Sequence, residues 1–245
     1  MPVLPSLSIV IPAYNEERRL PPTLAAIRAY LDAHAYPDAE IIVVDDGSRD
    51  GTVALVEGVA REDSRVRVLR NPGNRGKGYS IRHGMLEARC EWILFSDADL
   101  SAPIEELGKL LHAASERGAQ VAIGSRALDR SLIGVHQGRL RELIGILLNR
   151  VMRVITGLPF ADTQCGFKLF GRDAARRIFT RQQLDGFTFD VEDLFIARVL
   201  GIPTVEVAVR WNNVEGTKVG LMVGPQFFLD LLMIQYYRLA GRYRR

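Results

Sequence analysis

The sequence predicts an α/β fold built as a doubly wound, mainly parallel sheet with helices on both faces. Short runs rich in Val, Ile and Leu alternate with longer amphipathic segments, most of the runs are continuously apolar, and polar residues gather just after each one. The runs are LSIVIP (7–12), EIIVVDD (40–46), RVRVLR (65–70), EWILFSD (91–97) and AQVAIGSR (119–126). Strands that are apolar without alternation are covered on both faces, as crossover helices cover a parallel sheet. Helical patterns fit 16–33, 51–62, 76–89 and 103–117 between them, giving repeated βα units. Ser101, just ahead of Pro103, is the expected cap of the last of these helices.

Ligands bind beyond the carboxyl ends of such strands. The polar residues stand there: PAYNE after the first run, DDGS after the second, NRGKG after the third, SDAD after the fourth and GSR after the fifth. One such loop is ordinary, whereas five converging on one edge make a site.

The second half has a different pattern. Residues 137–156, QGRLRELIGILLNRVMRVIT, interleave arginines with apolar residues at helical spacing. Residues 224–240 form a second apolar helix, interrupted by Asp230 and Gln235, and the last eight residues hold four arginines and no acid. The economical division is one catalytic domain over 1–218 and a C-terminal helix with a basic tail over 219–245. Arginines on apolar helices suit an interface with anionic headgroups, so peripheral membrane contact is expected for both segments. Packing into the core or a homodimer interface is the alternative use.

With 245 residues, 47% hydrophobic and 25% charged, the chain is an ordinary globular protein. A net charge of +3 is too small to argue for nucleic acid. Cys90 and Cys165 stand far apart, which excludes a disulfide framework or a Cys-based zinc site and fits a reducing compartment. No apolar run reaches the roughly 18 residues of a membrane span, and no leader pattern opens the sequence. A cytoplasmic location, at the cytoplasmic face of a membrane, is the expectation.

Several motifs fail on inspection. DGSRDGTVALVE has calcium-loop spacing at Asp46, Ser48, Asp50, Gly51 and Glu57, but a strand rather than a helix leads into it. GNRGKG lacks the first glycine of a phosphate loop, and Gly78 replaces its Ser or Thr. Asp97 and Asp99 are more informative. Hard divalent cations such as Mg2+ or Mn2+ take carboxylate oxygens and bridge them to substrate phosphates. One of Asp45 and Asp46 closes a turn ahead of the next helix, and the other can accept from the N–H groups of a base. Tyr14 offers either a stacking face or plain packing, and Glu16 an acceptor for base or ribose. Lys77 and Arg126 can bind diphosphate oxygens.

Together, IPAYNE (11–16), VVDDGSRDGT (43–52), NRGKGYSIRHGM (74–85), SDADLSAPIEE (96–106), GSR (124–126), DTQCGFKLF (162–170) and EGTK (215–218) resemble the family 2 glycosyltransferases. The resemblance is strongest to the polyprenyl- and dolichyl-phosphate hexose synthases, and it runs from about Leu7 to Lys218. It implies the GT-A fold, Rossmann-like with a mixed, mainly parallel sheet. It further implies nucleotide contacts at Pro12, Tyr14, Glu16, Val44 and Asp46, and metal and diphosphate at Asp97, Ala98 and Asp99. Arg126 and Lys218 are implied as phosphate contacts and, with Asp97 and Asp99, as catalytic residues.

Ser101 stands where mannose synthases carry glutamine, Asn212 where they carry arginine, and WNNVEGTK (211–218) is similar to the tryptophan-led segment of glucosyl enzymes. This implies UDP-glucose rather than GDP-mannose as donor, a polyprenyl phosphate acceptor, and water or Ser101 completing the metal shell. An ionised phosphate needs no general base, its second pKa being about 6, so direct inverting displacement is expected. Three alternatives stand beside it: transfer to a saccharide or small-molecule hydroxyl with Asp193 of the Glu192–Asp193 pair as base, GDP-mannose as donor, and a non-enzymatic nucleotide-sugar binding module.

Overall fold

The structure, a computed structural model, describes residues 4–36, 38–135, 139–214 and 225–244. The five predicted strands are β1 (Leu7–Ala13), β2 (Ala39–Asp45), β3 (Val66–Arg70), β4 (Trp92–Ser96) and β5 (Val121–Ser125). Between them lie α1 (Leu20–Ala33), α2 (Thr52–Glu62), α3 (Lys77–Glu87) and α4 (Leu107–Arg117), the last entered through a 3-10 turn at Ile104–Glu106. No side chain caps that turn. The expected cap at Ser101 is therefore corrected: its N–H donates to Asp99 and its carbonyl accepts from Asn212, which commits this backbone to the loop.

The rest of the described chain comprises β6 (Ile133–Val135), α5 (Arg139–Thr156), β7 (Phe167–Gly171), α6 (Arg172–Phe179), α7 (Phe189–Val199), β8 (Thr204–Ala208), β9 (Trp211–Asn212) and α8 (Pro225–Leu239). A seven-stranded sheet runs in the order β3-β2-β1-β4-β7-β5-β8, and β6 pairs with β9 in a separate two-stranded piece. Every pairing in the large sheet is parallel except those of β7, which runs against both β4 and β5. The sheet is thus mixed and mainly parallel.

Antiparallel β7 has a consequence for the site. Its amino end, with Cys165 and Gly166 leading in, lies beside the carboxyl ends of β4 and β5, where Ser96 pairs with Phe167. DTQCG thereby joins the loops that follow β1 to β5.

Successive residues of the strands feed two separate cores, since side chains alternate across a sheet. Val10, Ile42, Val44, Ile93 and Phe95 face α3, α6, α7 and α8. Ile9, Ile11, Ile41, Val43 and Leu94 face α1 and α4. That double burial explains why these strands read as unbroken apolar runs. The C-terminal segment joins the first core through Phe227, Leu231, Ile234 and Tyr243. It still leaves Phe228, Leu229, Leu232, Tyr236 and Leu239 exposed on its other face, so α8 both packs on the domain and presents an apolar surface. Among the described residues no helix is long and apolar enough to cross a membrane.

Candidate active site

A cleft of about 360 Å³ opens at the carboxyl edge of β1, β2 and β4. Pro12, Ala13 and Tyr14 form one wall, Asp46 and the amino end of α3 another, and Asp97, Ala98 and Asp99 the third. Phe187 closes the rim from the distant loop before α7.

The loops are stitched to each other. Asn15, with φ of 53°, turns the chain after β1, and its N–H donates to Ser48 Oγ at 2.8 Å. Glu16 N–H donates to Thr52 Oγ1 at 2.8 Å, and Arg49 N–H returns a bond to Asn15 Oδ1. Asp45 closes the expected turn by accepting from the N–H groups of Gly47 and Ser48. Asp46 accepts from Asn71 Nδ2 at 2.9 Å, Arg75 N–H at 2.8 Å and Gly76 N–H at 2.9 Å. A carboxylate has about four acceptor positions, so Asp46 mainly holds the NRGKG loop in place and keeps one position for a ligand.

Gly76 has a φ of 104°, and a Cβ there would lie 2.4 Å from the Asp185 carbonyl oxygen. The glycine brings the start of α3 against the 184–189 segment, which aims Lys77 into the cleft. Lys77 Nζ lies 2.7 Å from Asp97 Oδ1. Burial opposes the charge on Lys77, but Asp97 and then Asp190 outweigh it and hold its pKa above the ordinary value. Asp97 is fixed in turn by Gly166, whose carbonyl accepts its N–H at 3.0 Å. A Cβ on Gly166 would fall 2.0 Å from Asp97 Oδ2. Beyond it, Leu100 adopts a φ of 46°, and Asp99 Oδ1 accepts from Ser101 N–H at 3.0 Å, turning both carboxylates to one corner.

Four residues were missed by sequence reasoning. Arg19 lines the cleft and engages Glu16 through two bonds, Nε to Oε2 at 2.7 Å and Nη2 to Oε1 at 2.5 Å. Its pKa is raised, first by the bond to Glu16 and further by Asp99 and Asp97. A cation three residues after Glu16 was the available signal. Phe187 had no local signal, because its loop reaches the cleft only in three dimensions. Lys168 and Asp190 form a buried ion pair behind Lys77, and Lys168 also donates to the Cys165 carbonyl at 2.9 Å. Charges alternate from Lys168 through Asp190 and Lys77 to Asp97. Replacing one member of a buried pair leaves an uncompensated charge, so Asp190→Ala is expected to cost about 3–5 kcal/mol of stability in urea titrations.

The other expected residues are placed elsewhere. Val44 pairs with Pro12 in the sheet and its side chain is fully buried in the core, so only its backbone could meet a nucleotide. Arg126 stands at the end of β5 and grips Asp162, Nε to Oδ2 at 2.6 Å and Nη2 to Oδ1 at 2.8 Å. Burial opposes ionisation of Asp162, yet Arg126 outweighs it and keeps the carboxyl below the usual range. Arg126 therefore lies outside the cleft wall, with Trp211 5.4 Å from its guanidinium. Lys218, with the rest of EGTK, lies outside the described residues.

Glu192 is fully buried; it accepts from Leu184 N–H at 2.8 Å and from the Tyr243 hydroxyl at 2.6 Å. Asp193 is buried as well, its Oδ1 without a partner. Neither lines the cleft, and Asp190 and Glu192 occupy the first turn of α7, where a helix dipole favours acids.

The Glycosyl transferase family 2 model matches residues 8–179, which hold every strand end that forms this cleft. The chain belongs to that family and is a glycosyltransferase. It is 37% identical over 243 residues to Dolichyl-phosphate beta-glucosyltransferase ALG5D of Trichomonas vaginalis, covering 95% of this chain and 74% of that one. It is 38% identical over 251 residues to the human dolichyl-phosphate beta-glucosyltransferase, covering 97% and 77%. Among solved structures, glucosyl-3-phosphoglycerate synthase from Mycobacterium tuberculosis with Mn2+, UDP-glucose and phosphoglyceric acid superposes with a TM-score of 0.64 at 23% identity, over 94% of this chain and 79% of that one. That likeness establishes the GT-A fold.

Proposed function

We propose that this chain transfers glucose from UDP-glucose to a polyprenyl phosphate of the dolichyl type, inverting the anomeric carbon. The observation that carries the reading is the likeness to dolichyl-phosphate beta-glucosyltransferases over nearly the whole chain. The cleft supports it with a base-sized apolar wall at Pro12 and Tyr14 and an acidic corner beside a lysine.

The corner suits Mg2+ or Mn2+. Asp97 and Asp99 supply two hard oxygen donors, and the Lys77 ammonium at 2.7 Å marks a place where positive charge is already accommodated. Among the described residues no group of three His, Cys, Asp or Glu side chains can hold a metal. Two carboxylates completed by substrate phosphate oxygens are the usual arrangement for Mg2+. Ser101 is tied to the Asp99 turn through its backbone N–H alone, so its hydroxyl or a water could complete that shell. A bound divalent cation would neutralise charge on the departing diphosphate.

In this reading Tyr14 and Pro12 seat the base, and Asp46 offers its remaining acceptor position to a base N–H. Lys77 turns from Asp97 towards the diphosphate and compensates the charge that grows there. Arg126, at the end of β5, would meet the acceptor phosphate, and Lys218 keeps the phosphate contact that the family resemblance implies. An acceptor phosphate oxygen bonds to the anomeric carbon as its bond to the nucleotide diphosphate breaks, and no proton need be abstracted. The buried position of Asp193 supports this over a hydroxyl acceptor. The exposed apolar face of α8 would rest on the bilayer that holds the acceptor.

Incubation with UDP-glucose and a short polyprenyl phosphate is expected to yield the lipid-linked glucose by mass spectrometry. GDP-mannose, or a soluble saccharide in place of the lipid, should give at most traces. Transfer to the saccharide alone overturns the proposal.

Asp193 supplies a separate expectation. Burial, then Glu192 and Asp190, push its carboxyl well above the ordinary value. The folded state keeps a proton that the unfolded chain releases above about pH 4. Stability from this group is therefore complete at low pH and is lost as pH rises towards the folded-state value. Asp193→Asn should retain transfer, and its thermal midpoint should gain on the parent's between about pH 5 and about pH 8. Loss of several orders in kcat with donor binding intact would instead make Asp193 the base.

A further inference from the structure

A second cavity, of about 450 Å³, lies between the carboxyl ends of α5, α7 and α8. Thr156, Gly157, Arg198, Gln235, Arg238 and Arg244 line it, and among the described residues no carboxylate does. Its walls are built. Arg198 donates to the Thr156 carbonyl at 3.2 Å and to that of Gly157, and Gln235 Nε2 donates to the Ile155 carbonyl at 2.7 Å. These bonds satisfy carbonyls at the end of α5 that would otherwise repel an anion. Arg238 and Arg244 take part in no ion pair among the described residues, so like charges converge with no described acidic side chain lining the cavity opposite them.

The cavity is not part of the catalytic cleft. α7 joins the two: Phe189 at its start stands 5.9 Å from Lys77 Nζ, and Arg198 near its end lines the cavity. At 1.5 Å per residue, the nine steps from Phe189 to Arg198 separate them by roughly 14 Å. An attacking atom must lie within about 3.5 Å of its target. An anion here cannot be the acceptor phosphate in reaction.

The surroundings indicate which anion belongs. Leu232, Tyr236 and Leu239 recur at helical spacing along the exposed face of α8, and Leu239 is 84% exposed beside Arg238. Val154, 85% exposed, flanks the cavity from α5. An apolar stripe ending in a basic hollow matches a lipid, with tails along the stripe and phosphate at its end.

We propose that this cavity binds the phosphate of an anionic phospholipid headgroup when the outer face of α8 lies on a bilayer. The inference rests on the peripheral membrane contact argued above. It adds a defined headgroup site that fixes the rotation of α8 on the surface, and so the direction in which the catalytic cleft opens.

The test is flotation of the full chain with vesicles of phosphatidylcholine, alone or mixed with phosphatidylglycerol. The parent should bind the mixed vesicles much more tightly. A basic residue near an anionic surface contributes about fivefold, so Arg238→Gln with Arg244→Gln should weaken that binding about thirtyfold. Leu232→Ser with Leu239→Ser should release the protein from both vesicles. Arg242→Gln, in the same tail but outside the cavity, should weaken binding less than either cavity substitution alone. Unchanged flotation of the double arginine variant overturns the headgroup site while the membrane reading stands. Failure of the parent to float with either vesicle overturns both. An Arg242→Gln effect equal to that of a cavity arginine means diffuse charge and rejects the site. Displacement by sn-glycerol 3-phosphate at the lipid's own concentration identifies a free-phosphate site and rejects the lipid.

Discussion

Replacing Asp97 with asparagine is expected to lower the rate of the proposed transfer by roughly 10²–10³-fold, the usual effect of removing one electrostatic stabiliser of a leaving group. Asp97 sits where β4 ends, with its backbone tied to Gly166 and its carboxylate against Lys77. The substitution keeps the side chain's size and removes its charge. In the proposed metal-bound state a hard cation would lose one of its two protein donors, and Lys77 loses its carboxylate partner. Asp99→Asn is expected to act in the same direction, while its turn to Ser101 survives because the amide oxygen still accepts. Steady-state kinetics at saturating polyprenyl phosphate measure the effect, and thermal midpoints close to the parent's separate it from misfolding. Both residues lie in an open cleft, so the loss should fall on kcat/KM for the donor.

Gly166→Ala is expected to be nearly as damaging, although residue 166 touches no substrate. A Cβ at 2.0 Å from Asp97 Oδ2 forces the carboxylate out of its corner. A displacement of about 1 Å at a reacting centre can cost a hundredfold. The test is a comparison of Gly166→Ala with Gly186→Ala, where a Cβ meets nothing within 4 Å. The first should lose about two orders of magnitude in transfer, and the second should behave as the parent.

Local pattern announced much of this architecture. The strands buried on both faces were visible because each alternate residue feeds an apolar core. The helices were visible through their period, and the cleft through polar residues after successive strands. β7 was hidden. Lys168 stands in the middle of GFKLF, and a charge there argues against a central strand unless its partner is known. That partner is Asp190, twenty-two residues on in the chain. The direction of β7 was equally hidden, and with it the approach of Gly166 to Asp97.

At the site, Asp46, Asp97, Ala98, Asp99, Tyr14, Glu16 and Lys77 meet in one cleft as their strand-end positions suggested. Val44 sits within β2 with its side chain in the core, which leaves only its backbone to a nucleotide. The ion pair of Arg126 was hidden because Asp162, which holds its fork, lies thirty-six residues away. Arg19 and Phe187 depend on how loops fold over the cleft, which no period in the chain encodes. The C-terminal helix could not be assigned to core or surface from its composition because it serves both.

The most direct test of the acidic corner is calorimetric titration of UDP into the protein with and without Mn2+. If Asp97 and Asp99 hold the diphosphate through a divalent cation, Mn2+ tightens UDP binding at least about tenfold, and the Asp97→Asn, Asp99→Asn double variant loses that gain while keeping its metal-free affinity. An equal gain in the double variant, or none in the parent, contradicts the account.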